Sequence, residues 1–329
     1  GIEKFVNLCK ERVMKFSKIQ AEQSQRLGYW MDWNNSYYTM SDENNYTIWS
    51  FLKKLYGKGK IYKGTDVVPW SGRSGTSYSQ MEIIEGRKLV AHNAVFVKFP
   101  LKNKENENLL IWTTTPWTLT SNIAAAVNIA LDYLKVKMSD GSIYYFAKDN
   151  YLFQRLEKQF SDKKQWIDGI PKLKTLEQVF KERGGCEIID TIKGSDMLGW
   201  EYYGPFDELE AQSSLGGYPF INDDLKKRKI NAISCHKVID GGKDNIGNDI
   251  VVSGEGTGIV HIATGCGAID NKIGKKLDLV ELAPLNDESK YIDNFGWLTG
   301  KTATNPETTR EILDNLKNKE ILFHVEKYP

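Results

Sequence analysis

The densest set of hydroxyls in this chain is Thr113-Thr114-Thr115-Pro116-Trp117-Thr118, which follows the apolar run Leu109-Leu110-Ile111-Trp112 and is followed by Asn122. Small hydroxyls where an apolar strand ends can donate, accept and hold a water molecule, the equipment of a polar pocket. The same composition also fits a β-branched edge strand, which threonine favours. A second candidate pairs His261 with Asp270, nine residues later, behind Gly256-Thr257-Gly258. Taken alone, His261 on an apolar strand reads as a satisfied core histidine.

Other signatures lack the context their chemistry needs. Gly254-Glu255-Gly256-Thr257-Gly258 leads into the strand-like Ile259-Val260-His261-Ile262, whereas a phosphate loop needs a helix N-terminus there. It reads as a tight turn. Gly72-Arg73-Ser74-Gly75 is one residue short of a Gly-x-Ser-x-Gly nucleophile elbow. Cys235-His236 has no partners at metal-ligand spacing and reads as structural.

These residues must be carried by elements whose periodicity changes along the chain. Up to about residue 65 the pattern is helical: Phe5, Val6, Cys9, Val13, Phe16 and Ile19 recur on one stripe, and a second helix is expected from a Ser41 cap to a stop near Gly57 and Gly59. After Pro69 short apolar runs take over, at residues 94–99, 109–114, 134–138, 143–147 and 258–263. Helices are expected at 150–160, at 173–183 ahead of Gly184-Gly185, and from Asn305-Pro306 with Ile312, Leu313 and Leu316 buried. A last strand is expected at 321–325. The fold class expected is α/β: a β-barrel-like domain with peripheral helices, behind a mainly helical segment.

Composition bounds the partners. The 329 residues, 40% apolar and 12% aromatic, support a packed core. With 44 Lys and Arg against 43 Asp and Glu, the charge of +1 argues against an autonomous high-affinity nucleic-acid binder, so RNA contact must be local. Lys226-Lys227-Arg228-Lys229 and the group Lys272, Lys275 and Lys276 are the candidate patches. No apolar run is long enough for a membrane span, and Cys9, Cys186, Cys235 and Cys266 lie without a framework spacing, which fits reduced thiols in a cytoplasmic, monomeric protein.

The order Trp112-Thr113-Thr114-Thr115-Pro116-Trp117-Thr118-Leu119 with Asn122 resembles the threonine-rich motif of the editing (connective peptide) domain of isoleucyl-tRNA synthetases, class I aminoacyl-tRNA synthetases. Gly256-Thr257-Gly258-Ile259-Val260-His261-Ile262-Ala263 with Asp270 is similar to that family's second editing segment. Leu27-Gly28-Tyr29-Trp30-Met31-Asp32, Gly59-Lys60-Ile61-Tyr62-Lys63-Gly64 and Val325-Glu326-Lys327-Tyr328-Pro329 resemble its flanking joints. The resemblance implies a helical part of the catalytic domain at 1–66, a β-ribbon connector at 67–98, the editing domain at 99–325 and the start of a return linker at 326–329. His-Ile-Gly-His is absent, and Lys137-Met138-Ser139-Asp140 only mimics Lys-Met-Ser-Lys-Ser, so amino-acid activation, which in a complete synthetase uses ATP and Mg, is not expected here.

What the resemblance implies is hydrolysis of valyl-tRNA(Ile). A hydrophobic pocket separates isoleucine from valine by only roughly 10- to 200-fold, or ~1–3 kcal/mol, a limit for which this amino-acid pair is itself the standard illustration. A second, smaller site multiplies the selectivity. The implied catalytic set is Thr113, Thr115 and Asp270. The implied substrate contacts are Thr113, Thr114, Trp117, Thr118, Asn122, His261 and Asp270, with the tRNA(Ile) acceptor end and the valine moiety as partners. Asp270 is expected to hold the α-ammonium, with general-base duty as the other role, and His261 and Thr113 to exclude isoleucine. No cofactor or metal is expected for editing, and with Ser71 and Ser74 in place of a Cys-x-x-Cys pair no zinc is expected there. A module that docks the acceptor end without hydrolysing the ester is the alternative. Thr264 stands where the family motif has proline, and Cys266 and Ile269 also depart from it, so the wall before Asp270 is expected to be remodelled.

Overall fold

The computed structural model describes residues 1–86, 88, 90–153, 173–254 and 256–328. Two units separate between Thr65 and Asp66. In the first, α1 (Ile2–Arg26) and α2 (Asp42–Gly57) follow the periodicity read above, and the Ser41 hydroxyl accepts from the Asn44 N–H at 3.2 Å, as a cap should. Neither helix has a buried residue: Phe5, Phe16 and Trp49 all stand exposed.

The second unit opens with the small hairpin β1 (Trp70–Ser71) and β2 (Thr76–Ser77), then α3 (Gln80–Gly86). Its body contains β3 (His92–Pro100), β4 (Glu107–Thr113), β5 (Ala124–Val127), β6 (Asp132–Met138), β7 (Ile143–Ala147), α4 (Leu176–Glu182) and β8 (Cys186–Lys193). Short helices α5 (Glu210–Ser213), α6 (Asp223–Lys227) and α7 (Ala232–Cys235) follow, then β9 (Val238–Asp240), β10 (Val260–Ile262), α8 (Ala268–Lys276), α9 (Pro306–Asn318) and β11 (Leu322–Tyr328).

Six strands form a mixed sheet in the order β11-β3-β4-β7-β6-β8, and three form a second in the order β10-β5-β9. The sheets are open, with β11 and β8 as the edges of the larger, so the α/β class holds while the barrel-like closure does not. Residues 92–98, read as the end of a connector, lie in β3. Residues 326–328, read as a linker, pair with β3 from within β11. The helix expected at 150–160 lies for its larger part, 154–160, outside the described residues.

The large sheet is covered on both faces, which is why Leu109-Leu110-Ile111 reads as a continuous apolar run. Alternation sends Leu110 with Phe96 toward α4, where Leu176, Val179 and Phe180 cover them with Phe323. Leu109 and Ile111 face the other way with Val95, Val97 and Phe99, against Ala125 and Val127 of β5, Val238 of β9, and Ile312 and Leu316 of α9. The opposite face of the small sheet, Ala124, Ala126 and Ile262, packs with Val251 and Ile273 of α8. The layers therefore run α4, large sheet, small sheet, α8. The Asn305 cap behaves as read, accepting from the Glu307 N–H at 2.9 Å, and α4 carries a capping box of Thr175 and Gln178.

The loop entering β10 is anchored on the large sheet. The Ala147 N–H donates to the Thr257 carbonyl at 2.8 Å and the Tyr133 hydroxyl to that of Gly258 at 2.8 Å. Gly258 has φ +70°, and a Cβ added there would stand 2.3 Å from that of Ala147. Gly258→Ala is therefore expected to destabilise the fold by roughly 2–5 kcal/mol, the sum of a strained φ and overpacking, read as a lower urea midpoint. A midpoint unchanged from wild type would show that the loop relaxes freely.

Candidate functional site

Thr113 ends β4 on the face that carries Leu109 and Ile111, opposite Val95 in register. The chain then turns. Thr114 bends away, and Pro116 starts a 3-10 turn over Pro116–Ser121. Hydroxyls satisfy the backbone that the sheet no longer serves. The Thr115 N–H donates to Thr113 Oγ1 at 3.1 Å, and Thr118 Oγ1 donates to the Thr115 carbonyl at 2.9 Å. Thr118 Oγ1 also lies 2.9 Å from His261 Nε2.

That last contact fixes the histidine. The single Thr118 proton is used on the Thr115 carbonyl, so Nε2 carries the hydrogen and donates, leaving Nδ1 as a bare acceptor. Nδ1 is buried with no hydrogen-bond partner among the described residues. Burial also pushes the His261 pKa down to about 4, so the ring is neutral at physiological pH. His261 reaches this place because β10 pairs it with Ala125, whose side faces the large sheet, while its neighbour Ile262 faces α8.

Asp270 sits in the first turn of α8, and its Oδ2 accepts from the Ala263 N–H at 2.9 Å, tying the helix to the end of β10. Burial raises its pKa to about 6, the Ala263 hydrogen bond opposing. Asp270 has no ion pair among the described residues. Gly267 leaves it room, because a Cβ there would stand 2.8 Å from the carboxyl carbon. The departures from the motif are absorbed locally: Thr264 Oγ1 donates to the Val280 carbonyl at 2.8 Å, and Asn271 Nδ2 to the Thr264 carbonyl at 2.9 Å. Cys266 is held as a thiol, since burial pushes its pKa up. Ile269 points outward, half exposed.

These walls enclose a cleft of about 200 Å³ lined by Thr113, Thr114, His261 and Asp270, with Trp112, Ile250 and Val252 as its apolar side. Trp112 is itself held by Glu326, which accepts from its Nε1 at 3.0 Å, and by the edge of Tyr328, so β11 braces the cleft. Gly256 lies against the indole, where a Cβ would come within 2.8 Å.

The other expected site residues are not brought to the cleft. Thr115 is exposed outside its lining, Trp117 packs on the main core, and Thr118 stands buried behind His261. Asn122 is fully buried, with its amide donating to the Ala124 carbonyl at 3.1 Å and its Oδ1 accepting from the Tyr202 hydroxyl at 2.7 Å. Its carbonyl meets Nε2 of His236, whose ring stacks on Tyr202. His236 is thus structural. Sequence reading missed the apolar side, Ile250 and Val252, although Ile250-Val251-Val252 is a visible β-branched run.

The sequence matches the family model of class I tRNA synthetases (I, L, M and V) over residues 1–193. The chain belongs to this family. It is 34% identical to the Isoleucine--tRNA ligase of Clostridium acetobutylicum over 328 residues, 100% of this chain and 26% of that protein. To the Isoleucine--tRNA ligase of Sulfolobus acidocaldarius it is 31% identical, over 99% of the chain and 26% of that protein. The chain thus spans about a quarter of the length of these relatives. Among solved structures, the P. knowlesi cytosolic leucyl-tRNA synthetase editing domain matches with a TM-score of 0.31 and 13% identity, over 57% of this chain and 63% of that one. No helix among the described residues is long and apolar enough to cross a membrane.

The Asp270 carboxyl carries a testable signature. Its folded pKa lies above the ordinary value of 3.8, so the folded state binds more protons than the unfolded between about 4 and 6, and this group's contribution to stability falls as pH rises through that window. Asp270→Asn is expected to be more stable than wild type at pH 7.5 by roughly 1–2 kcal/mol, with the gap closing below pH 4. Urea midpoints measured across this range check it; a variant less stable at pH 7.5 than at pH 4, relative to wild type, would contradict it.

Proposed function

We propose that this chain is the proofreading part of an isoleucine--tRNA ligase and hydrolyses misacylated tRNA(Ile), chiefly valyl-tRNA(Ile). The observation that carries this reading is Asp270: a half-buried carboxylate, without a cationic partner among the described residues, opening on a cleft walled by Thr113 and a neutral His261. An anion that has given up part of its water without gaining a counter-charge is prepared for an incoming cation. The α-ammonium of an aminoacyl ester is such a cation.

In this reading Asp270 holds the ammonium through a charge-assisted hydrogen bond and fixes the ester. Thr113 and His261 bound the space for the side chain. Thr118 positions His261 from behind, and Asn122 positions the turn. A water held by the threonine hydroxyls attacks the ester carbonyl carbon, the bond to the ribose oxygen breaks, and the proton ends on that oxygen, releasing valine and free tRNA. Positioning and donors to the oxyanion supply the catalysis. His261, neutral down to a pKa of about 4, is a weak base and serves as a wall. We place the activity in the cytoplasm, on a monomer.

The assay is deacylation of valyl-tRNA(Ile) against isoleucyl-tRNA(Ile). Wild type is expected to hydrolyse the first and spare the second, and Asp270→Ala to lose at least ~100-fold in kcat/KM, the scale for removing a charged contact of about 3 kcal/mol. His261→Ala is expected to begin hydrolysing isoleucyl-tRNA(Ile); continued resistance would remove His261 as the excluding wall. Since Asp270 must be ionised and the substrate amine protonated, kcat/KM should rise with pH through about 6 and fall again above about 8. A flat profile from pH 5 to 8 would assign the ammonium to another partner.

A further inference from the structure

A small cleft sorts ligands by size only if its lining holds still. Thr113 and His261 supply part of that lining, and the loop entering β10 supplies another part through Val252, Gly256 and Thr257. This loop contains residues poorly able to hold a shape. Gly254 and Gly256 have φ of +88° and +53°, and glycine has the widest backbone freedom of any residue. Nor can either be replaced by something stiffer: besides the strained φ, a Cβ on Gly256 would stand 2.8 Å from the Trp112 indole and one on Gly254 3.2 Å from the Phe153 ring. Stiffness has to come from outside the loop.

It comes from Asn150, which ends the short 3-10 turn after β7 and is fully buried. Its Oδ1 accepts from the Gly254 N–H at 2.8 Å, and its Nδ2 donates to the Gly256 carbonyl at 3.1 Å. A carboxamide carries an acceptor and a donor side by side, so one planar group closes on both glycines at once. The ends of the loop are secured separately. Asn128 Nδ2 donates to the Val251 carbonyl at 2.9 Å, while the Ala147 N–H and the Tyr133 hydroxyl hold the carbonyls of Thr257 and Gly258. Asn150 therefore clamps the middle of the loop, and it does so from behind, outside the cleft lining.

Resting on the proofreading reading, we propose that Asn150 is a positioning residue for specificity: by holding Gly254 and Gly256 it keeps the loop from yielding, so that the cleft rejects an isoleucyl group while admitting a valyl one. The two groups differ by one methylene, and a close-packed wall resists that extra volume only while it cannot relax. A loop freed at Gly254 and Gly256 gives way beside Thr257, and the larger group enters. Loss of the clamp thus widens what the cleft accepts, whereas loss of a contact to the ester or the ammonium weakens both groups alike.

The test reads binding apart from hydrolysis, using the amides of valine and of isoleucine with 3′-amino-3′-deoxyadenosine, which carry the α-ammonium and resist deacylation. Wild type is expected to bind the valyl amide the more tightly. Asn150→Leu keeps the branched shape and loses both hydrogen bonds. It is expected to lower the isoleucyl-to-valyl Kd ratio by about fivefold or more, part of the roughly 10- to 200-fold that one methylene is worth in a hydrophobic pocket. It should also speed amide hydrogen exchange at Gly254 by about tenfold or more. Asn150→Asp keeps the acceptor for Gly254 and loses the donor to Gly256; it should move the ratio the same way, and it carries the test if the leucine variant does not fold. A ratio is insensitive to the fraction of folded protein, so Thr175→Ala, which removes the α4 cap, should lower the urea midpoint and leave the ratio unchanged. An unchanged ratio in the Asn150 variants, Gly254 exchange in Asn150→Leu no faster than in wild type, an equal change in Thr175→Ala, or a wild type that binds both amides equally would each overturn the proposal. If the ratio falls as expected while wild type leaves valyl-tRNA(Ile) intact, hydrolysis fails and the clamp stands.

Discussion

The hydrogen bond between His261 Nε2 and Thr118 Oγ1, 2.9 Å long, is the contact on which the site depends. It joins the turn that follows the large sheet to the edge strand of the small one, next to the Thr115 carbonyl that Thr118 also serves. His261 is buried and its other ring nitrogen has no partner among the described residues, so losing this bond would cost roughly 1–3 kcal/mol, and the bond fixes how the two sheets meet at the cleft. The Ala263 N–H donating to Asp270 does the same between β10 and α8. Three separate elements thus become walls of one small cavity, each secured by a polar contact that apolar packing alone could not aim.

Local signals carried much of this into the sequence. The Ser41 and Asn305 caps, the stop at Gly184-Gly185 and the apolar run before Thr113 concern neighbours within a few residues, and they read correctly. Features set by layers did not. Ala124-Ala125-Ala126 favours a helix by propensity, yet it lies as a strand because only small side chains fit between the large sheet and α8. β8 was missed because most of its residues are exposed on an edge and show no alternation.

The site divides the same way. Thr113, Thr114, His261 and Asp270 meet in the cleft, and their motifs name them. Asn122 and Thr118 stand in the same motif but act from behind, because the 3-10 turn after Pro116 winds the chain inward and delivers their polar atoms to Tyr202 and His261. Sequence adjacency cannot separate a residue that lines a cavity from one that holds the lining. Ile250 and Val252 come from a segment with no motif, and only tertiary packing reveals them.

His261 and Asp270 share the cleft with opposite displacements, one pushed down to about 4 and the other up to about 6, both by burial. The two are linked in purpose. A protonated histidine beside Asp270 would supply the counter-charge itself and leave the carboxylate nothing to gain from a substrate. Burial keeps the imidazole neutral and so leaves the carboxylate without a counter-charge. The carboxylate thus opens on the cleft without a counter-charge among the described residues, a cost in stability that an incoming cation would offset.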